Sequence, residues 1–393
     1  MKRFFTYRKT ILVICSIIAC ITLFTRCIHD KKEEKTVLRH FNGEQYAGSE
    51  ACRNCHRAIC DSFPATAHHL TSIVAEKKYI KGSFLPDRNS FVYDGHRKVV
   101  MEEREDGLFQ VAYTDGKEEK AGRFDIVMGS GKKGQTYIYR KDKELFQLPV
   151  SYFTSAHSWA NSPGFTPDRV SFDRNIEVRC LECHTSFARQ LTATEYAPGQ
   201  VLYGVECERC HGPGQKHVEF QAKNPAVRQA KFIVNPATLD RQRNLDVCAL
   251  CHSGVMSSRM PAFSFLPGDD LSKFFVRNSS RIDSSNLDVH ANQYGLLTSS
   301  KCFRVSGTMT CSTCHNTHVK EDGDLAVYDS KCMKCHVDIN HTGCTRKVMA
   351  EGAAASCVSC HMPVKPSHNL TLLPSGRTAA SPELVRSHRI AVY

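Results

Sequence analysis

Between residues 88 and 150 apolar and polar positions alternate in short runs, among them Phe91–Tyr93, Val99–Glu103, Leu108–Tyr113, Tyr137–Tyr139 and Leu145–Leu148. These runs are rich in Val, Phe and Tyr, which fit a pleated, half-buried surface. Three Asp-Gly pairs, Asp94-Gly95, Asp106-Gly107 and Asp115-Gly116, punctuate them. Asp-Gly suits a two-residue turn whose central residues need positive φ. The pattern predicts an antiparallel meander. Gly129–Gly134 resembles a phosphate-binding loop, but Gln135 stands where the essential lysine is required, so it reads as a hairpin loop.

Outside this stretch the chain offers only short signals. In residues 46–87, Ser49 reads as a helix N-cap, Glu50 suits a first turn, and Pro64 ends that helix. Trp159, the one Trp, sits in a predicted turn. The tail, 362–393, contains Pro363, Pro366, Pro374 and Pro382 and is expected to be mostly irregular. At the other end, Lys2, Arg3, Arg8 and Lys9 precede a largely apolar run from Ile11 to Phe24, too short for a comfortable membrane span. Residues 1–27 therefore read as a signal peptide or an N-terminal membrane anchor, with lipidation open at Cys20 or Cys27. Residues 28–45 read as a charged linker. The expected organisation is 1–27 targeting, 28–45 linker, 46–87 a first cofactor-binding segment, 88–150 the strand-rich insertion, and 151–393 a second, larger cofactor-binding region.

Composition changes the picture. The chain has 20 Cys and 19 His in 393 residues. Fourteen of the cysteines fall in seven copies of Cys-x-x-Cys-His: Cys52, Cys55 and His56; Cys180, Cys183 and His184; Cys207, Cys210 and His211; Cys248, Cys251 and His252; Cys311, Cys314 and His315; Cys332, Cys335 and His336; Cys357, Cys360 and His361. This is the attachment signature of c-type haem. The thiols add to the porphyrin vinyl groups, and the His is placed to bind iron as proximal ligand. A zinc site or a redox dithiol would not require His after every second Cys. Seven covalently attached haems c are expected. The motifs begin 128, 27, 41, 63, 21 and 25 residues apart, too irregular for a tandem array. The long first gap holds the strand-rich insertion.

Twelve His lie outside the motifs. His29 and His40 fall in the linker and are expected to be solvated. His318, three residues after His315, is too near to reach the opposite face of its own haem and is placed to bind a neighbouring one. His217 stands similarly after His211. His290, His341 and His388, with His68 or His69, are further candidate distal ligands, and His157 and His368 are weaker ones. Cys60, Cys302 and Cys344 lie outside the motifs. A Cys302–Cys344 disulfide and buried free thiols are both compatible with the sequence. The formal charge of +12 does not argue for nucleic acid, because the propionates of seven haems would more than offset it.

The stretches Tyr46–Cys52, Gly204–Gly214, Thr310–His318 and Cys357–Pro363 resemble one family: the bacterial multihaem cytochromes c related to the tetrahaem cytochrome of ammonia oxidisers, pentahaem nitrite reductase and hydroxylamine oxidoreductase. The resemblance spans 46–80 and 175–393. It implies a multihaem cytochrome c fold: mostly short helices and coil packed around stacked haems, here with an antiparallel strand-rich insertion, an α+β chain with little regular structure. It also implies mostly bis-His haems, and either electron carriers or enzymes of nitrogen and sulfur compounds. The nitrite reductases carry Lys in the catalytic motif, whereas all seven motifs here end in His, and no counterpart of the cross-linked Tyr of hydroxylamine oxidoreductase can be placed. The expected function is an exported, periplasmic or cell-surface cytochrome relaying electrons in an anaerobic or respiratory chain. A quinol-oxidising membrane complex or a terminal reductase would be its partner. The alternative is a reductase or oxidase of a small nitrogen or sulfur compound at an open-face haem.

Overall fold

In a computed structural model the described residues are 37–166, 168–254, 256–277, 287–336, 356–377 and 379–393. The candidate lipidation sites Cys20 and Cys27, and also His29, His341 and Cys344, lie outside them.

The alternating stretch forms strands. Ser72–Val74 is β1, Ser90–Val92 β2, Arg97–Arg104 β3, Gly107–Thr114 β4, Lys117–Arg123 β5, Ile126–Met128 β6, Gly134–Lys141 β7, Glu144–Gln147 β8, Val150–Phe153 β9, Ser158–Asn161 β10 and Arg174–Asn175 β11. Strands β2 to β5 make a four-stranded antiparallel meander. Its β4–β5 turn is the Asp115-Gly116 pair, with φ of 50° and 79°, the two positive values that such a turn demands. The remaining strands form a second sheet in the order β1-β6-β7-β8-β11, with β9 and β10 added through β7. β7 is long enough to serve three partners: Gly134 and Gln135 pair with β9, Thr136–Ile138 with β6, and Ile138–Lys141 with β8. The strand-rich body therefore reaches beyond 88–150 on both sides.

Between the two sheets lies an aromatic core of Phe91, Phe124, Tyr137, Trp159 and Phe172, packed with Val99, Met101, Leu148 and Val150. Trp159 is on a strand, not in a turn, and is only 3% exposed. Its Nε1–H donates to the Ser83 carbonyl at 3.0 Å. Gly82 is required beneath it, since a Cβ there would lie 2.1 Å from the indole. The buried Gln110 side chain both donates to and accepts from the Val150 main chain, at 2.6 and 3.0 Å, so its amide is satisfied while it ties the meander to the second sheet.

The rest of the molecule is built from short helices, and the attachment motifs sit on them: Ser49–Arg53, Val178–His184, Cys207–His211, Arg241–His252, Leu325–His336, Cys357–His361 and a 3₁₀ turn at Cys311–Thr313. Several ends are capped by their own sequence. Asp240 accepts from the Arg243 amide at 3.0 Å, and Thr310 and Thr313 form a reciprocal capping box. Ser49, by contrast, is the first helical residue. Gly48 is the N-cap, and the Ser49 hydroxyl donates to Glu206 at 2.6 Å.

Strand also appears among these helices. Thr185–Gln190 (β12) and Tyr196–Tyr203 (β13) form a hairpin between the second and third motifs. Met256–Ser258 (β14) pairs with Phe275–Arg277 (β15). The proline-containing tail is not irregular: Val364–Leu372 (β16) pairs with Ser381–Arg386 (β17). A two-stranded ribbon leaves each strand one free edge, where the missing N–H of Pro366 or Pro382 costs no ladder bond. The fold is thus α+β, with strand well beyond the expected insertion. These elements lie in one compact unit, Arg39–Tyr393, which begins inside the predicted linker. His40 is accordingly not solvated. It is 4% exposed, its Nε2 meets the Phe263 carbonyl at 2.8 Å, and its Nδ1 accepts from the Asn42 amide at 3.2 Å.

Candidate haem-binding centres

One helical turn carries the chemistry of each motif. The His56 amide donates to the Cys52 carbonyl at 2.9 Å, and the His315 amide to the Cys311 carbonyl at 3.0 Å. This i to i−4 spacing brings the first Cys and the His onto one side of the turn.

Five motif histidines have a defined partner at Nδ1. His184 meets the Thr71 hydroxyl at 2.9 Å, and His211 the Val234 carbonyl at 2.8 Å. His252 meets the Gln293 amide oxygen at 3.2 Å, His315 the Glu321 carboxylate at 2.8 Å, and His361 the Ala391 carbonyl at 2.8 Å. An Nδ1–H that donates outward fixes the tautomer and leaves the Nε2 lone pair for a metal. Burial also lowers the pKa of His184 and His211, favouring the neutral imidazole that can ligate.

Three of these rings face a second imidazole from a distant segment. His211 faces His318 with ring centroids 6.1 Å apart and planes 17° apart. His315 faces His388 at 6.1 Å and 27°, and His252 faces His68 at 6.3 Å and 79°. The separation is nearly constant while the angle varies widely. Ring stacking would not hold one distance over such angles. Two imidazoles bonded through nitrogen to one metal at roughly 2.0–2.1 Å each would have centroids roughly 6 Å apart whatever their mutual rotation. Burial pushes both His68 and His388 down to about 4, so each is neutral at pH 7. These three pairs of residues would fit a haem iron held between two histidines.

The other candidates are placed as follows. His69 is turned to Glu206, with Nδ1 2.5 Å from the carboxylate, so of the His68–His69 pair it is His68 that faces a motif ring. His217 donates from Nδ1 to the Lys231 carbonyl at 2.9 Å, which leaves its Nε2 available. His290 is close enough to His184 to lower its pKa, and its main-chain amide is held by Asp288 at 2.7 Å. His157 and His368 are exposed, as are the motif residues His56, His252 and His336.

The motifs also stand beside one another. The thiols of Cys52 and Cys207, of Cys183 and Cys251, and of Cys248 and Cys311 interact pairwise. The first motif therefore neighbours the third, the second the fourth, and the fourth the fifth. Two motifs carry a buried Glu between their cysteines. Glu208 accepts from the Ala47, Gly48 and Gly214 amides at 2.6–2.9 Å, and Glu182 accepts from the Phe263 amide at 2.9 Å. These carboxylates pin the motif turns to neighbouring loops. Sequence reasoning did not find Thr71, Gln293 or Glu321 as partners of the motif histidines. Backbone carbonyls such as those of Val234 and Ala391 carry no sequence signal at all.

Comparison with a family model agrees with this chemistry. Residues 153–212, which include the second and third motifs, match the family model described as cytochrome c554 and c-prime. No curated protein matches the chain. Two solved structures align with it. The outer cell wall cytochrome OcwA is 16% identical with a TM-score of 0.49, over 88% of this chain and 79% of that one. The undecahaem cytochrome from the S-layer of Carboxydothermus ferrireducens is 16% identical with a TM-score of 0.41, over 81% of this chain and 51% of that one, about half its length. With its attachment motifs and the matched segment, the chain is similar to multihaem c-type cytochromes.

Proposed function

We propose that the protein is an exported heptahaem c-type cytochrome that relays electrons between redox partners. The observation that carries this reading is the set of three facing imidazole pairs, each joining a motif histidine to a histidine from another segment. Haem supplies one-electron chemistry at iron. The chain's own residues attach it through the motif cysteines, hold it between imidazoles and lock one haem segment to another. His68 ties the first segment to the fourth motif, His318 ties the fifth to the third, and His388 ties the tail to the fifth. At these three sites two histidines on one iron would leave no position for a small substrate, which favours relay over catalysis there. The basic front and apolar run of residues 1–27 support export, with anchorage at the N-terminus. A quinol-oxidising membrane complex and a terminal reductase are the proposed partners.

Replacing His318→Ala tests the pairing. One haem should change from low-spin to high-spin, read by electron paramagnetic resonance, with every haem still attached. An unchanged low-spin spectrum would remove the basis for the reading. A large high-spin fraction in the parent protein would instead favour a reductase or oxidase acting at an open-face haem.

A further inference from the structure

Of the five motif histidines with a described Nδ1 partner, His315 meets a carboxylate and the other four meet neutral oxygens. The Glu321 carboxylate is held in place from three directions. Its Oε2 accepts from His315 Nδ1 at 2.8 Å and from the Tyr328 hydroxyl at 3.0 Å, while its Oε1 accepts from the Asn316 amide at 2.8 Å. Tyr328 lies on the Leu325–His336 helix, which carries the sixth motif, and its ring centroid is 5.4 Å from that of His315. Glu321 is therefore a fixed anion, and the fifth and sixth motifs share it.

We propose that Glu321 is a positioning residue that gives the His315 ligand imidazolate character, so that the haem at Cys311 and Cys314 has a lower potential than it would with a neutral acceptor at that nitrogen. This rests on the relay reading above. A carboxylate drawing on the Nδ1 proton raises the electron density at Nε2, and a more basic ligand stabilises the oxidised iron. Proton and carboxylate stay in place, and only the distribution of charge along the hydrogen bond differs. Tyr328 has the opposite influence. By donating to the same oxygen it spreads the carboxylate charge and weakens the pull on His315.

The test is a redox titration of the intact, haem-loaded protein, followed by optical and electron paramagnetic resonance spectra. Glu321→Gln keeps the acceptor oxygen and removes the charge. It should raise the potential of one low-spin haem and change the g-value spread of that haem alone. Tyr328→Phe should lower the same potential. Shifts of opposite sign on one haem support the proposal. No shift, or shifts of the same sign, would overturn it, as would a potential change in Glu321→Gln without any change in g-values, since that is a through-space charge effect. If Glu321→Gln is not produced as folded protein, Tyr328→Phe decides by itself: a downward shift supports the proposal, and an upward or absent one overturns it. The mass of the peptide containing Cys311 and Cys314 separates the two readings. A peptide without haem defeats the relay reading, whereas a haem-bearing peptide with unshifted potentials defeats only the role of Glu321.

Discussion

The strand body and the motif region solve the same burial problem differently. The strand body closes on its own side chains, with Tyr137, Val99, Leu148 and Val150 fully buried and Trp159 at the centre of an aromatic cluster. The motif region often lacks that kind of core. Its helices Arg57–Ser62, Gln215–Lys223 and Leu325–His336 contain no buried residue. The first two are only six and nine residues long, and isolated helices so short are marginal in water. Burial there is divided among small apolar clusters, such as Leu250, Met256, Phe265 and Phe275, and polar anchors such as Glu182, Glu208 and Asp246, while the paired imidazoles are only partly covered. The difference is the one expected if side chains alone hold the first region and covalently bound haem completes the second.

The sharpest way to break this comparison is to withhold one haem. Changing Cys248→Ser together with Cys251→Ser removes the attachment thiols of the motif that neighbours both the second and the fifth. The expected outcome is a loss of one haem increment in the mass and the largest fall in thermal midpoint of any change considered. If the melting curve is unaffected, haem is not the core of that region.

A change of comparable chemistry in the strand body should behave oppositely. Trp159→Ala is expected to cost about 3–5 kcal/mol, the usual range for deleting a large buried aromatic ring, with the haem count unaltered. Chemical denaturation and intact mass together check it. Haem loss with Trp159→Ala would show that the two regions do not fold on separate cores.

The smallest effect belongs to the surface of the meander. His96 Nδ1 lies 2.7 Å from the Asp115 carboxylate, and this hydrogen bond raises the imidazole pKa above 6.5. Because the folded value lies above the unfolded one, the stabilisation is complete below the unfolded pKa and is lost as pH rises through the folded pKa. The pair is exposed, so the change is small. Nuclear magnetic resonance titration of the His96 ring should give a raised pKa that returns to the ordinary value in Asp115→Asn. Equal values in the two proteins would remove the interaction.

Much of this division was legible in the sequence, because its signals are local. Period-two runs mark β3, β4 and β7, the Asp115-Gly116 pair marks the β4–β5 turn, and Cys-x-x-Cys-His marks each attachment turn, whereas the β3–β4 turn falls on Glu105-Asp106, one residue before the expected Asp106-Gly107. What escaped depends on distant residues. The burial of His40 comes from Phe263, more than two hundred positions away. Strands β16 and β17 were hidden because prolines usually signal irregular chain, and only the ribbon's free edges make them harmless. The partners of the motif histidines come from a 3₁₀ turn (Thr71), a helix start (Gln293), loops (Val234 and Glu321) and the last residues of the chain (Ala391), so no spacing rule points to them. The choice of His68 over His69 was likewise undecidable from two adjacent identical residues. Glu206, brought alongside by the fold, engages His69.

The central claim is that haem, attached at all seven motifs, is the structural core and the working part of the motif region. Intact mass spectrometry of the mature protein under denaturing conditions tests it most directly. The account predicts seven haem increments on the polypeptide. A smaller count, with unmodified cysteines in one or more motif peptides, would contradict it.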